Sequence, residues 1–141
     1  MRALGLDIGD RRVGIAVSDG TGTIASPQGV YVRRSPTADA AHLAELARGV
    51  GASAIVAGLP LNMDGTEGEQ ARKVRELAQA VAAAAGLPLH YVDERLTSAE
   101  AERAMVEGGL SRDRRKRRAD ALAAVLILQA WLDQRRSGRG T

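Results

Sequence analysis

At 141 residues and a formal net charge of +3, the chain most simply makes one domain, long enough to bury about 70% of its unfolded surface. It contains no cysteine, which excludes a disulfide framework and a thiolate metal site and fits a reducing compartment. No apolar run approaches the ~20 residues of a membrane span and the first residues lack a signal pattern, so a cytoplasmic protein with no membrane partner is expected.

The first elements form a hairpin. Leu4, Leu6 and Ile8 alternate with Ala3, Gly5, Asp7 and Gly9, and after a turn Val13, Ile15 and Val17 alternate with Gly14, Ala16 and Ser18. One face of this hairpin is bulky. The other is nearly bare and carries a single carboxylate, Asp7, where small neighbours let another element, an ion or a ligand approach the backbone. A plainer reading has Asp7 ending its strand and bonding to the Gly9–Arg12 turn. Thr23–Ala25 and Val30–Val32 read as a third strand broken near Pro27 and Gly29, antiparallel to the second. Ser35-Pro36 opens a helix with Ala40, Leu43, Leu46, Ala47 and Val50 on its buried side, stopped by Gly49 and Gly51. His42 reads as a surface residue. Ser53–Gly58 is a continuous apolar strand of the kind buried on both faces.

The loop from Gly58 to Gly68 leads into a second helix, whose start reads as a Thr66/Glu69 capping box and whose buried stripe is Ala71, Val74, Leu77, Ala78, Val81 and Ala85. Backbone N–H groups at such a loop can receive a phosphate, which makes Asn62 and Thr66 candidate contacts. Neither a Walker loop nor a dinucleotide fingerprint occurs. Leu89–Glu94 is a further strand, ending on two adjacent carboxylates that alternation sends to opposite faces. Only one of Asp93 and Glu94 can share a face with Asp7, and parity alone leaves the choice open. His90 lies roughly 13 Å from Glu94 at strand rise, too far to share a metal with it. Thr97 with Glu100 reads as another cap, for a short helix backed by Ala101, Ala104 and Met105 and ending at Gly108-Gly109.

The charge is unevenly spread. Residues 112 to 118 (Arg112, Asp113, Arg114, Arg115, Lys116, Arg117, Arg118) carry +5 and leave −2 on the remainder, a distribution that suits a polyanionic partner better than a solvated charge run. From Ala119 to Leu132, twelve of fourteen residues are apolar, so that helix is buried in the core or against a second subunit. Asp120 heads its Ala123, Ala124, Ile127 and Trp131 stripe. A charge there is costly unless paired, hydrogen-bonded or bound to a cation, although a cap favoured by the helix dipole also accounts for it. Ala123 and Ala124 would let this helix close on the bare hairpin face, bringing Asp120 near Asp7. Carboxylates gathered in one place call for a shared proton or a hard divalent cation.

The order of three strands, then helix, strand, helix, strand, helix is that of the ribonuclease H-like fold, a mixed α/β sheet with helices on both faces. Four segments carry a closer resemblance: Leu6–Gly9 with Arg12–Asp19, Gly58–Gly68, Asp93–Ser98, and Lys116 with Asp120 leading into Ala123-Ala124 and Ile127–Gln129. Over nearly the whole chain the sequence resembles the YqgF/RuvX family, the Holliday junction resolvase or pre-16S rRNA nuclease group related to RuvC. The resemblance implies a nuclease domain, expected over residues 1–136, and residues 137–141 read as a flexible tail. Its acidic cluster would be Asp7, Glu94, Asp120 and Asp93, with Asp7, Glu94 and Asp120 favoured as ligands of one or two Mg²⁺ or Mn²⁺ ions. Such ions would activate water, orient the scissile phosphate and stabilise the leaving oxygen. Arg95 and residues 112 to 118 would grip backbone phosphates. With no phenylalanine, and Tyr31, Tyr91 and Trp131 as the only aromatics, base stacking is a poor source of specificity.

Three functions are therefore in view. The first is processing of structured RNA at the 5′ end of pre-16S rRNA, by a monomer or homodimer. The second is cleavage of branched, four-way DNA by a two-fold dimer. The third is a non-catalytic nucleic-acid-binding module that works through the basic segment alone.

Overall fold

The alternation of the first eighteen residues folds as expected into an antiparallel pair, β1 (Ala3–Ile8) and β2 (Arg12–Ser18), with Leu4 opposite Val17 and Asp7 opposite Gly14. In this computed structural model the described residues are 1–99 and 112–138, with side chains described for 1–99 and 121–137. The short helix expected around Ala101, Ala104 and Met105, and its Glu100 cap, lie outside them.

The third strand is β3 (Ala25–Val32), and it is continuous rather than broken. Its register against β2 shifts between Ile15 and Ala16, whose partners are Gly29 and Pro27, so the irregularity is absorbed as a bulge. Pro27 is tolerated because β3 is an edge strand. Thr23 and Ile24 fall in the preceding turn instead, where the Asp19 carboxylate accepts from both of their N–H groups.

Ser35 caps α1 (Pro36–Gly49) as its sequence predicts, its hydroxyl accepting from Ala38 N–H at 3.2 Å. The chain then crosses to β4 (Ala54–Leu59), passes through α2 (Glu69–Ala85) and returns as β5 (Leu89–Asp93). A 3₁₀ turn follows at Glu94–Leu96. The last element, α3 (Arg112–Gly138), begins before the apolar run and continues through Ser137 and Gly138, which sequence assigns to a tail. Its end is tied down: Arg136 donates to Asp133 and to the Thr23 carbonyl, and Gln129 donates to the same carbonyl.

The sheet runs β3-β2-β1-β4-β5, antiparallel across its first three strands and parallel across the last three. On one face Leu4, Leu6, Ile8, Val13 and Ile15 pack with Ile55 and Leu59 beneath α1 and α2. On the other face α3 covers Ala3, Ala16, Ala54, Val56 and Val92 with Ala123, Ala124, Ile127, Leu128, Trp131 and Leu132, so its apolar run serves the core. The bare hairpin face is what admits this helix. A Cβ on Gly5 would stand 2.7 Å from Leu128 Cβ and 3.4 Å from the Ala124 carbonyl oxygen.

The start of α2 departs from the sequence reading. Its N-cap is Gly68, with no side-chain cap hydrogen bond. Thr66 is already committed within the loop, donating to Asp64 at 2.6 Å and accepting from Asn62 at 2.9 Å, while Glu69 lies toward Lys73.

Candidate active site

The carboxylates of interest sit where the parallel strands end. Asp7 is the next-to-last residue of β1 and is buried, 7% exposed, on the face that α3 covers. Across it in β2 stands Gly14. On the other side the β1–β4 register runs to Leu6–Ala57, and one step further it sets Asp7 beside Gly58. Gly58 is occupied from above. A Cβ there would lie 3.0 Å from Cγ and Oε2 of Glu94 and 2.5 Å from Ile127 Cδ1. The Glu94 carboxylate therefore lies over the backbone immediately beside Asp7, in space that any side chain at position 58 would fill.

This arrangement resolves the ambiguity between the two adjacent acids. Leu89 and Tyr91 pack against the α1/α2 core, whereas Val92 belongs to the core under α3, so Asp93 ends β5 on the side away from Asp7. Asp93 is paired with Arg95. Its Oδ1 accepts from Arg95 N–H at 2.9 Å, capping the 3₁₀ turn, and its two oxygens take the Arg95 guanidinium at 2.7 to 3.1 Å. Arg95 holds the Asp93 carboxyl below the usual carboxylate range. The same guanidinium donates to the Met63 carbonyl at 3.1 Å and the Asn62 carbonyl at 3.4 Å, so it staples the Gly58–Gly68 loop to the strand end. The turn closes on Thr97, whose N–H and hydroxyl both donate to the Glu94 carbonyl. Glu94 is thus held on both sides. Arg95, expected to grip phosphate, spends its donors on this latch, although its side chain is 41% exposed.

Asn62 and Thr66, the other expected phosphate contacts, bond to each other through side chains and through Asn62 N–H to the Thr66 carbonyl at 2.9 Å. With the Leu61–Glu67 bridge and the bidentate Glu67–Arg75 pair at 2.6 and 2.7 Å, these bonds make the loop a closed, structured turn. Of the remaining expected residues, Arg112, Arg114, Arg115, Lys116, Arg117, Arg118 and Asp120 have helical backbone in α3, and their side chains lie outside those described. The backbone of residue 120 is one helical turn before Ala124, whose carbonyl faces Gly5. Among the described residues no group of three His, Cys, Asp or Glu side chains is arranged to hold a metal, and of the four expected acids the side chains of Asp7, Asp93 and Glu94 are described. His90 packs at a tilt against Trp131, and His42 stacks on Tyr31.

A buried acid that the sequence reading passed over lies on the opposite face. Asp39 is 1% exposed and accepts from the Tyr31 hydroxyl, Arg33 Nε and Arg34 N–H at 2.8 to 2.9 Å. Burial would raise its pKa, but those bonds outweigh it and hold it below the ordinary range. Arg33 also donates to the Gly9 carbonyl at 3.0 Å, tying the turn after β1 to the end of β3. The available signal was an Asp in the first turn of a helix preceded by two arginines.

A family model described as "RuvX: Holliday junction resolvase" matches residues 1–134. The chain belongs to this family. It is 46% identical over 134 residues to a protein of Moorella thermoacetica named "Putative pre-16S rRNA nuclease", covering 95% of this chain and 96% of that one. Relatives of the same name in Anaeromyxobacter dehalogenans and Desulforudis audaxviator are 47% and 43% identical, the latter across the full length of both chains. Among solved structures, Thermus thermophilus RuvC in complex with a Holliday junction substrate superposes with a TM-score of 0.60 at 23% identity, over 97% of this chain and 96% of that one. RuvX and RuvC thus share the ribonuclease H-like architecture expected from the element order.

Proposed function

We propose that this RuvX protein is a divalent-metal-dependent endonuclease whose substrate is the 5′ end of pre-16S rRNA. The observation that supports the chemistry is that Glu94 lies over Gly58, the β4 residue that the strand register sets beside Asp7. Two carboxylates on a face cleared of side chains offer hard oxygen donors, which suit Mg²⁺ or Mn²⁺ and give no reason to invoke a softer metal. Asp7, Glu94 and Asp120 would hold the ion. When bound it supplies Lewis-acid polarisation of the phosphate and an acidified water at neutral pH. The chain's own contribution is to fix the two acids before substrate arrives, Asp7 through the strand backbone and Glu94 through the Asp93–Arg95 latch. Ile127 and Val92 supply an apolar wall beside them. Arg112, Arg114, Arg115, Lys116, Arg117 and Arg118 would hold the backbone on either side of the cut, with affinity falling steeply as salt rises.

The RNA substrate is favoured by the names of the relatives. A four-way DNA junction is the second reading, favoured by the description of the matching family model, and it requires a two-fold pair of chains with two active sites. The test is cleavage at low salt with Mg²⁺ or Mn²⁺ of an RNA spanning the 5′ leader junction and of a four-way DNA junction, by the native protein and by Asp7→Asn. Metal-dependent cutting of the RNA that drops by roughly 100-fold or more in the variant is expected. Cutting of the junction alone would move the assignment to the second reading. Binding without cutting by either protein would leave a nucleic-acid-binding module.

A further inference from the structure

Outside residues 112 to 118 the chain carries a net −2, yet the fold gathers cations at one corner. Arg11 and Arg12 close the turn after β1, and Arg33 and Arg34 leave β3 beside them. Arg12 pairs with Val32, and Arg33 N–H donates to the Arg11 carbonyl at 2.8 Å. Lys73 reaches the same place from the second turn of α2. Arg11, Arg33, Arg34 and Lys73 line an open groove of about 620 Å³, against two acids, Asp10 and Asp39. The acids do not neutralise it. Asp39 is buried and saturated by Tyr31, Arg33 and the Arg34 backbone, and serves to fix Arg33. Lys73 lies 3.8 Å from Asp10 and 3.7 Å from Glu69, all three side chains being about half exposed or more, loose pairs worth little in water and easily exchanged for phosphate.

The position matters as much as the charge. The turn that carries Arg11 starts two residues after Asp7, and its Gly9 carbonyl is held by Arg33. The groove thus adjoins the end of β1 that bears Asp7, but opens on the α1/α2 side of the sheet. We infer that it binds the phosphodiester backbone of the same nucleic acid, so that a strand cut at Asp7 and Glu94 continues over the β1–β2 turn and is held by Arg11, Arg34 and Lys73. Guanidinium groups match phosphate oxygens in pairs, and a cleft with an excess of positive charge raises the local concentration of a polyanion. This inference rests on the nuclease reading for its ligand, and it adds a contact surface on the other face of the sheet from α3.

Arg11 and Arg34 are exposed, which makes the double variant Arg11→Gln/Arg34→Gln a mild change for the fold. Arg2→Gln/Arg48→Gln removes the same charge at the far end of the molecule. Equilibrium binding of a fluorescent single-stranded RNA and of a four-way DNA junction, in EDTA and across a salt series, separates the cases. The groove predicts about tenfold weaker binding for Arg11→Gln/Arg34→Gln near 0.1 M salt and a salt slope lower by roughly 1.4 to 1.8, with the remote pair unchanged. Equal affinity and slope in the groove variant, while the native protein binds, would overturn the groove and leave the nuclease assignment standing. Equal losses in both double variants would assign the effect to net charge and overturn it as well. If the native protein binds neither probe, the nuclease reading and the groove fall together.

Discussion

The two faces of the same central strands solve opposite problems. Toward α1 and α2 the strands present Leu4, Leu6, Ile8, Val13, Ile15, Ile55 and Leu59, all buried. Toward α3 they present Ala3, Gly5, Asp7, Gly14, Ala16, Ala54 and Gly58, and the bulk comes from the helix, as Ile127, Leu128, Trp131 and Leu132. The first arrangement removes strand side chains from water at roughly 1.5 to 3 kcal/mol for each large aliphatic residue. The second keeps the strand surface low enough for a helix backbone to close on it and for Glu94 to lie over a glycine. Stability and chemistry are thus separated by one peptide unit. Substitution at neighbouring positions of one strand or one sheet should damage one and spare the other.

The largest effect is expected on the bulky face. Leu6 is fully buried next to Asp7 in sequence but on the opposite side of the sheet. Leu6→Ala should cost about 2 to 5 kcal/mol of unfolding free energy, through lost burial and the cavity left behind. Urea unfolding reads this directly. Cleavage per folded molecule, measured well below the new midpoint, should stay near the native value. A variant that is stable but inactive would mean that the bulky face also shapes the site.

How far these roles can be read from sequence alone depends on the range of the interaction. The bare hairpin face and the apolar helix that fills it were legible because strand period two and helical spacing are local, and Ala123-Ala124 announced a close approach. The Asp93/Glu94 choice was not legible, because it needs the β4–β5 register and the position of Gly58, which only the assembled sheet supplies. The part of Arg95 in the latch was hidden for the same reason: its partners at Asn62 and Met63 are more than thirty residues away in sequence. The Thr66 cap failed on a local competition, since Asp64 and Asn62 claim the hydroxyl that would have capped α2. The cation corner was hidden by counting charge along the chain, where Arg11-Arg12 and Arg33-Arg34 are two unremarkable pairs.

A smaller stability effect with a larger functional one is expected at Gly58. A Cβ there meets Ile127 Cδ1 at 2.5 Å, the end of a buried core side chain, and Glu94 Cγ and Oε2 at 3.0 Å, so both neighbours must shift. Gly58→Ala should therefore cost about 1 to 3 kcal/mol, while displacing the Glu94 carboxylate. A shift of about 1 Å in such a group is enough to lower turnover by 10- to 100-fold. Metal-dependent cleavage at saturating substrate, set beside thermal unfolding, checks the split. Loss of fold in proportion to loss of activity would place Gly58 with the core rather than with the site.

The smallest effect belongs to the latch, and its pH dependence has a definite sign. Arg95 lowers the Asp93 pKa, so the bond contributes to stability above the ordinary carboxylate pKa of about 3.9, and that contribution is lost as pH falls through the lower folded value. The stability difference between the native protein and Asp93→Asn should be flat from pH 8 to pH 5 and shrink only below about pH 4. The pair is partly exposed, so the difference itself should be small, and added salt should reduce it. Turnover should respond more than stability. With the cap of the 3₁₀ turn weakened, Glu94 loses its fixed approach, and kcat should fall several-fold at pH 7 while KM changes little. Arg95→Lys should recover part of that loss relative to Arg95→Ala, because a lysine can still reach Asp93 but cannot span to the Met63 carbonyl in the same planar fork. A KM effect without a kcat effect would return Arg95 to the role of a phosphate contact.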